Sequence, residues 1–186
     1  MSYNGQAPPL TSEEIESLLR ENNVARICTH NKDGTIHAMP VVYRYMNGQI
    51  LIMSLVKSRK NRNIERNNKV SVLVDTLDPL RGILIYGTAE IDYDNVYEQS
   101  CTVMETFFHG MPEEKSQRIT KAYLDAFESV IVKITPKHIT TFDYTKDVAW
   151  QNFVKTYLER FKEYPDYMAQ ETYAGVYFLK AAIERA

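Results

Sequence analysis

Asn47-Gly48 is the strongest hairpin signal in this chain of 186 residues. A type I′ turn needs positive φ at both central positions, and Asn and Gly tolerate it best. The pair joins a β-run over residues 36–45 to another over 49–54. Upstream, residues 24–29 form a third run, separated from the second by a turn at Asn31, Lys32, Asp33 and Gly34. Three antiparallel strands in a row predict a meander. Residues 69–74, 82–91, 130–134 and 138–142 read as further strands, with Gly87 marking a bulge or a close backbone approach. Six to seven short strands with mostly hairpin links predict an antiparallel barrel, because closure removes exposed edges.

Helices punctuate this pattern and make the chain α+β, mainly β. Thr11 and Glu14 have capping-box spacing, and Ile15, Leu18 and Leu19 follow at helical intervals. Residues 96–108 and 113–127 predict two more helices, broken apart by Gly110 and Pro112. From residue 148 the chain reads as helical, with Trp150, Phe153, Val154, Tyr157, Leu158 and Phe161 on one face up to Pro165. A last helix carries Tyr173, Val176, Tyr177, Phe178, Leu179 and Ile183. The expected organisation is therefore a barrel domain over residues 1–147 and a helical extension over 148–186. The aromatic extension suits packing on the barrel or at a dimer interface.

Composition removes several functions. A net charge of −2 disfavours a general nucleic-acid binder. Cys28 and Cys101 lack CxxC spacing, so neither a disulfide framework nor a structural zinc site is expected. His30, His37, His109 and His138 are scattered, and no metal site is expected. No apolar window approaches a membrane span and the N-terminus has no leader pattern, which predicts a soluble cytoplasmic protein.

One segment is charged out of proportion. Between the strands at 49–54 and 69–74 lie Lys57, Arg59, Lys60, Arg62, Arg66 and Lys69 against a single acid, Glu65. Ser54 and Ser58 stand where the strand stops and a short helix begins. Hydroxyls, cations and free backbone N–H groups at a helix N-terminus suit an anion, phosphate above all. Arg59 can clamp two oxygens, Lys60 adds a compact charge, and the serines fill the remaining acceptors. Arg66, two turns on, is expected to matter little. The alternative is a solvated basic helix that only links two strands.

The order of parts decides between these. A strand containing Pro40 (HAMPVVY), the Asn-Gly hairpin, a strand ending Met53-Ser54, then S-R-K-x-R-N, another strand and G-x-A-E together resemble the pyridoxamine 5′-phosphate oxidase-like flavin-binding split-barrel superfamily. The resemblance covers roughly residues 11–143 and implies a split barrel that binds FMN and acts as an oxidoreductase. It implies that His37, Ala38, Met39, Pro40, Val41 and Val42 lie along the flavin ring, largely through backbone. Met53 and Ser54 match the pair at the next strand end, and Ser58, Arg59 and Lys60 match the phosphate-binding triplet. Gly82 falls where the oxidases carry a glutamine, Phe142 falls near their late tryptophan, and their Arg-x-His motif is missing. Those departures imply a substrate other than pyridoxamine phosphate. The resemblance further implies a homodimer with flavin at the subunit interface. The deazaflavin F420 is the alternative cofactor, with Lys57 and Arg62 extending the groove for its longer tail. A non-enzymatic module carrying flavin or haem is a third reading. No side chain stands out as a catalytic acid or base.

Overall fold

Alternation along the strands sorts their residues. On β1 (Val24–His30), Ala25, Ile27 and Thr29 are buried while Val24, Arg26 and His30 are exposed. The same period places Val70, Val72 and Val74 of β5 (Lys69–Leu77) and Ile83 and Ile85 of β6 (Leu80–Asp92) in the core. The structure, a computed structural model, describes residues 8–77 and 79–162. The helix expected over 173–183 lies outside the described residues.

The other strands are β2 (Ile36–Val42), β3 (Arg44–Met46), β4 (Gln49–Leu55) and β7 (Ser129–Asp143). Together they form a seven-stranded antiparallel sheet in the order β2-β1-β5-β6-β7-β4-β3, curled into the half-barrel of a split-barrel fold. Five helices accompany it: α1 (Ser12–Glu21), α2 (Arg59–Arg66), α3 (Val96–Phe107), α4 (Glu113–Ala126) and α5 (Val148–Phe161). Thr11 and Glu14 close the expected capping box on α1.

Two strand expectations change. Residues 36–45 form two strands rather than one, and the meander is broken between them. Tyr43 is the cause. It is fully buried, donates its N–H to the Asn23 carbonyl (3.0 Å) and its hydroxyl to the Leu19 carbonyl (2.9 Å). Burial also pushes its phenol well above the usual range. The strands on either side then run to opposite edges of the sheet. The second change is that 130–134 and 138–142 belong to one long strand that passes through Pro136. Proline there costs one ladder donor and does not end the strand.

α3 lies against the place where the edges meet. Thr106 donates to the Tyr43 carbonyl (3.2 Å), and its own carbonyl accepts from Asn23 Nδ2 (3.0 Å). Val103 joins Leu51 and Ile131 in a buried cluster, with Val42 and Met53 packed against it.

By compactness the chain divides into two units. The larger spans Thr11–Asp75 and Gly82–Thr140. The smaller contains residues 8–10, the tip of the β5–β6 hairpin, and everything described after residue 140. Within it Asp147 caps α5 by accepting from the Trp150 N–H (3.0 Å). Trp150, Phe153, Tyr157 and Phe161 then form a ladder of rings at 5.4, 5.7 and 4.5 Å. Among the described residues no helix is long and apolar enough to cross a membrane.

At Gly87 the backbones of β6 and β7 approach closely. A Cβ there would stand 2.5 Å from the Thr135 carbonyl oxygen of β7, a backbone atom that cannot swing aside. Gly87→Ala is therefore expected to destabilise the protein by about 1–3 kcal/mol, the range for overpacking. Urea denaturation at an unchanged m-value measures it, and a loss below about 0.5 kcal/mol would show that the strands separate freely.

Candidate functional site

The site begins where β4 stops. Ser54 is 3% exposed and its hydroxyl donates to Asn61 Oδ1 (2.8 Å), with the Ser58 hydroxyl 3.1 Å away. Asn61 Nδ2 donates back to the Leu55 carbonyl (2.9 Å), which fixes the turn between strand and helix. Ser58 is the N-cap of α2, its hydroxyl accepting from the Asn61 N–H (3.4 Å). Ser54 and Ser58 are thus brought together, as the sequence suggested. Asn61, which organises both, was not singled out there. An Asn three residues after a Ser cap was the available signal.

Charge at this helix end runs against the usual rule. The first turns of α1 and α4 carry acids, Glu13 and Glu14 in one and Glu113 and Glu114 in the other. The first turn of α2 has none and instead opens with Arg59 and Lys60. Two cations at the positive end of a helix dipole repel it. Lys60 is moreover only 5% exposed, and no hydrogen bond or ion pair reaches its ammonium among the described residues. Burial therefore holds its pKa below the ordinary lysine value. Arg59 is exposed and its guanidinium makes no hydrogen bond among the described residues. Its charge does reach Asp33, whose carboxyl is lowered mainly by bonds from Thr35 and only lastly by Arg59. A largely buried lysine, an exposed guanidinium and a capped helix N-terminus thus stand together at the start of α2.

The second component is β2. It ends the strand order, so its outer edge is unpaired, and Pro40 sits there opposite Arg26 of β1. Along it Ala38 and Pro40 are exposed, His37, Met39 and Val42 half-buried, and Val41 buried. Val42 and Met53 meet on the cluster beneath α3, which places the β2 end beside the β4 end. Gly82 is buried on β6, separated from β4 by β7 and from β2 by β1 and β5.

Asn63 and Arg66 tie α2 to β1. Asn63 Nδ2 donates to Thr29 Oγ1 and to Asn31 Oδ1, both at 3.0 Å. Arg66 donates to the His30 carbonyl (2.6 Å) and to Asn63 Oδ1 (2.9 Å). Arg66 thus ties α2 to β1 through hydrogen bonds of its guanidinium. A cavity of about 640 Å³ opens elsewhere on the sheet, lined among others by Cys28, Ser71, Leu84, Tyr86, Lys69 and Lys137. None of the candidate cofactor residues lines it. Among the described residues no group of His, Cys, Asp and Glu could hold a metal ion.

Sequence and structure can now be set beside known proteins. The family model for pyridoxamine 5′-phosphate oxidase matches residues 11–143. The chain belongs to that family. A curated relative, the 5a,11a-dehydrotetracycline/5a,11a-dehydrooxytetracycline reductase of Streptomyces rimosus, is 34% identical over 91 residues, covering 44% of this chain and 63% of the relative. This chain therefore spans somewhat under two thirds of that reductase. Among solved structures, a conserved hypothetical protein of Mycobacterium tuberculosis superposes with a TM-score of 0.64 at 23% identity, covering 77% of this chain and 90% of that one. An F420 reductase superposes with a TM-score of 0.53 at 21% identity, covering 67% and 94%. These two likenesses establish the fold.

Lys60, a partly desolvated cation without a partner among the described residues, costs the ligand-free protein stability. Lys60→Met, which keeps the stem and removes the charge, is expected to stabilise the unliganded protein by about 1 kcal/mol or more. The sign with pH follows from the lowered pKa. The unfolded chain binds the proton more tightly, so the cost of Lys60 is complete below its folded pKa and fades as pH rises towards 10.5. The gain from Lys60→Met should fade over the same window. Denaturation midpoints measured from neutral to alkaline pH test this, and a destabilised variant at neutral pH would contradict it.

Proposed function

We propose that this protein binds FMN and is a flavin-dependent oxidoreductase of the reductase type. The observation that carries the reading is Lys60, a largely buried lysine with no counter-charge among the described residues, at the N-terminus of a helix whose first turn holds cations and no acid. The FMN phosphate would supply the missing charge. Arg59 offers it a two-pronged clamp, and the Ser58 cap and helix N–H groups complete the cradle. The unpaired edge of β2, from His37 to Val42, offers backbone groups to the polar rim of the ring, with Met53 packing below. When bound, the flavin supplies hydride transfer. The named relative in Streptomyces is a reductase, which supports redox chemistry of that class.

F420 is the second reading. Lys57 and Arg62 are exposed and their side chains make no hydrogen bonds among the described residues, so they extend the positive surface that its longer tail needs. An F420 reductase shares the fold. The visible spectrum separates the two, with FMN absorbing near about 450 nm and F420 near about 420 nm.

Arg59→Ala and Lys60→Ala should each weaken FMN binding by about 1.5–3 kcal/mol, the range for a hydrogen bond to a charged group. That is roughly tenfold to more than hundredfold in Kd. Riboflavin lacks the phosphate, so its weaker binding should barely move. Lys115→Ala on α4 is the control, since Arg66 anchors α2 and would disturb the fold. Equal losses for both flavins would assign Arg59 and Lys60 to folding rather than to the phosphate.

The same reading holds the flavin between two copies of the chain. A homodimer is expected by light scattering at micromolar concentration. A monomer that keeps its flavin would refute that arrangement.

A further inference from the structure

The flavin reading needs two surfaces held in register, the phosphate end at α2 and the ring edge at β2. These belong to separate elements, and nothing in either sequence segment fixes their spacing. We propose that Asn63 is the positioning residue that sets it, acting through Thr29. The proposal rests on the flavin reading above.

Asn63 sits one turn beyond Lys60, on the face of α2 turned away from solvent, and is 3% exposed. Every hydrogen-bonding direction of its amide towards the sheet is used. Nδ2 spans Thr29 Oγ1 and Asn31 Oδ1, each at 3.0 Å, and Oδ1 receives Arg66 Nη2 at 2.9 Å. Thr29 is 1% exposed, so its hydroxyl has few choices of its own. It accepts from Asn63 and turns its proton towards the His37 carbonyl at 3.5 Å, a long contact. The ladder reinforces it, because Thr29 is the residue of β1 paired with His37. His37 is where the ring-binding stretch of β2 begins. A buried path of two side chains therefore runs from the anion-binding helix to the first residue of the ring-binding stretch.

A cross-link of this kind does its work only for a ligand that engages both ends. FMN does so, and its two contacts reinforce one another only while their spacing is held. Riboflavin uses the strand alone, and inorganic phosphate the helix alone. Either one tolerates a small shift between the elements. A purely structural asparagine would have no reason to distinguish the three.

The experiment titrates FMN and riboflavin by flavin fluorescence quenching and inorganic phosphate by calorimetry, in wild type, Asn63→Ala and Thr29→Val. Thr29→Val keeps the shape of the side chain and leaves Asn63 bonded to Asn31, so it tests the path where Asn63→Ala folds poorly. FMN binding is expected to weaken at least tenfold in both variants, with riboflavin and phosphate each changing by less than about threefold. Unchanged FMN binding would overturn the proposal, as would parallel losses for all three ligands. Loss of phosphate together with FMN would also overturn it, because Asn63 would then be holding the anion site itself. Failure of the underlying reading looks different. Wild type would then bind riboflavin as tightly as FMN, before any substitution is made.

Discussion

A single residue, Tyr43, separates the two edge strands of this sheet, and the rest of the fold follows from that constraint. Strands β2 and β3 are neighbours in sequence yet stand at opposite ends of the order. A flat seven-stranded sheet would place its edges some 30 Å apart, at about 4.8 Å per strand. One residue reaches under 4 Å. The sheet therefore has to curl until its edges nearly meet. Tyr43 makes this tolerable by spending its backbone N–H and its hydroxyl on the α1 end, at Asn23 and Leu19, instead of on either ladder. α3 then packs where the edges converge and gives them an apolar floor.

The candidate site gathers at the same convergence. The curl brings the end of β2 beside the end of β4, and β4 leads directly into α2. An open sheet would leave those two segments at opposite margins. The electrostatics of α2 then oppose stability, with cations where a helix prefers acids and one of them buried. Local choices that disagree with an otherwise consistent fold are the places to look for a ligand. The serines and asparagines around that turn are, by contrast, well satisfied, so the disagreement is confined to charge.

Much of this was legible in the sequence. The Asn-Gly turn, the capping box at Thr11, the start of α2 after Ser58 and the close approach at Gly87 follow from local chemistry, and local chemistry is what a sequence displays. The break at Tyr43 was not legible, because residues 36–45 alternate well enough for one strand and only the closure of the sheet splits them. Continuity through Pro136 was hidden for the converse reason, since proline ends most strands and the sheet here absorbs the lost donor. At the candidate site the charged and hydroxyl-bearing residues announced themselves. Asn61 and Thr29 did not, because a buried polar side chain looks in sequence like any surface one, and Asn63 stood in the S-R-K-x-R-N motif without its bonds to β1 showing. The bond from Arg66 to the His30 carbonyl was hidden likewise, since its place along the helix says nothing about that reach.

The unpaired margin of β2 has a meaning beyond ligand contact. An open strand edge is a template on which another chain can add a strand, and repeated addition leads to aggregates. Pro40, in the middle of β2, is paired with Arg26 of β1 and has no N–H to offer a strand on its other side. A strand arriving from another molecule would find the series of donors and acceptors interrupted at its centre. The edge can therefore stay open to a small molecule while resisting a second polypeptide, and a single ring-closed residue separates those two kinds of visitor.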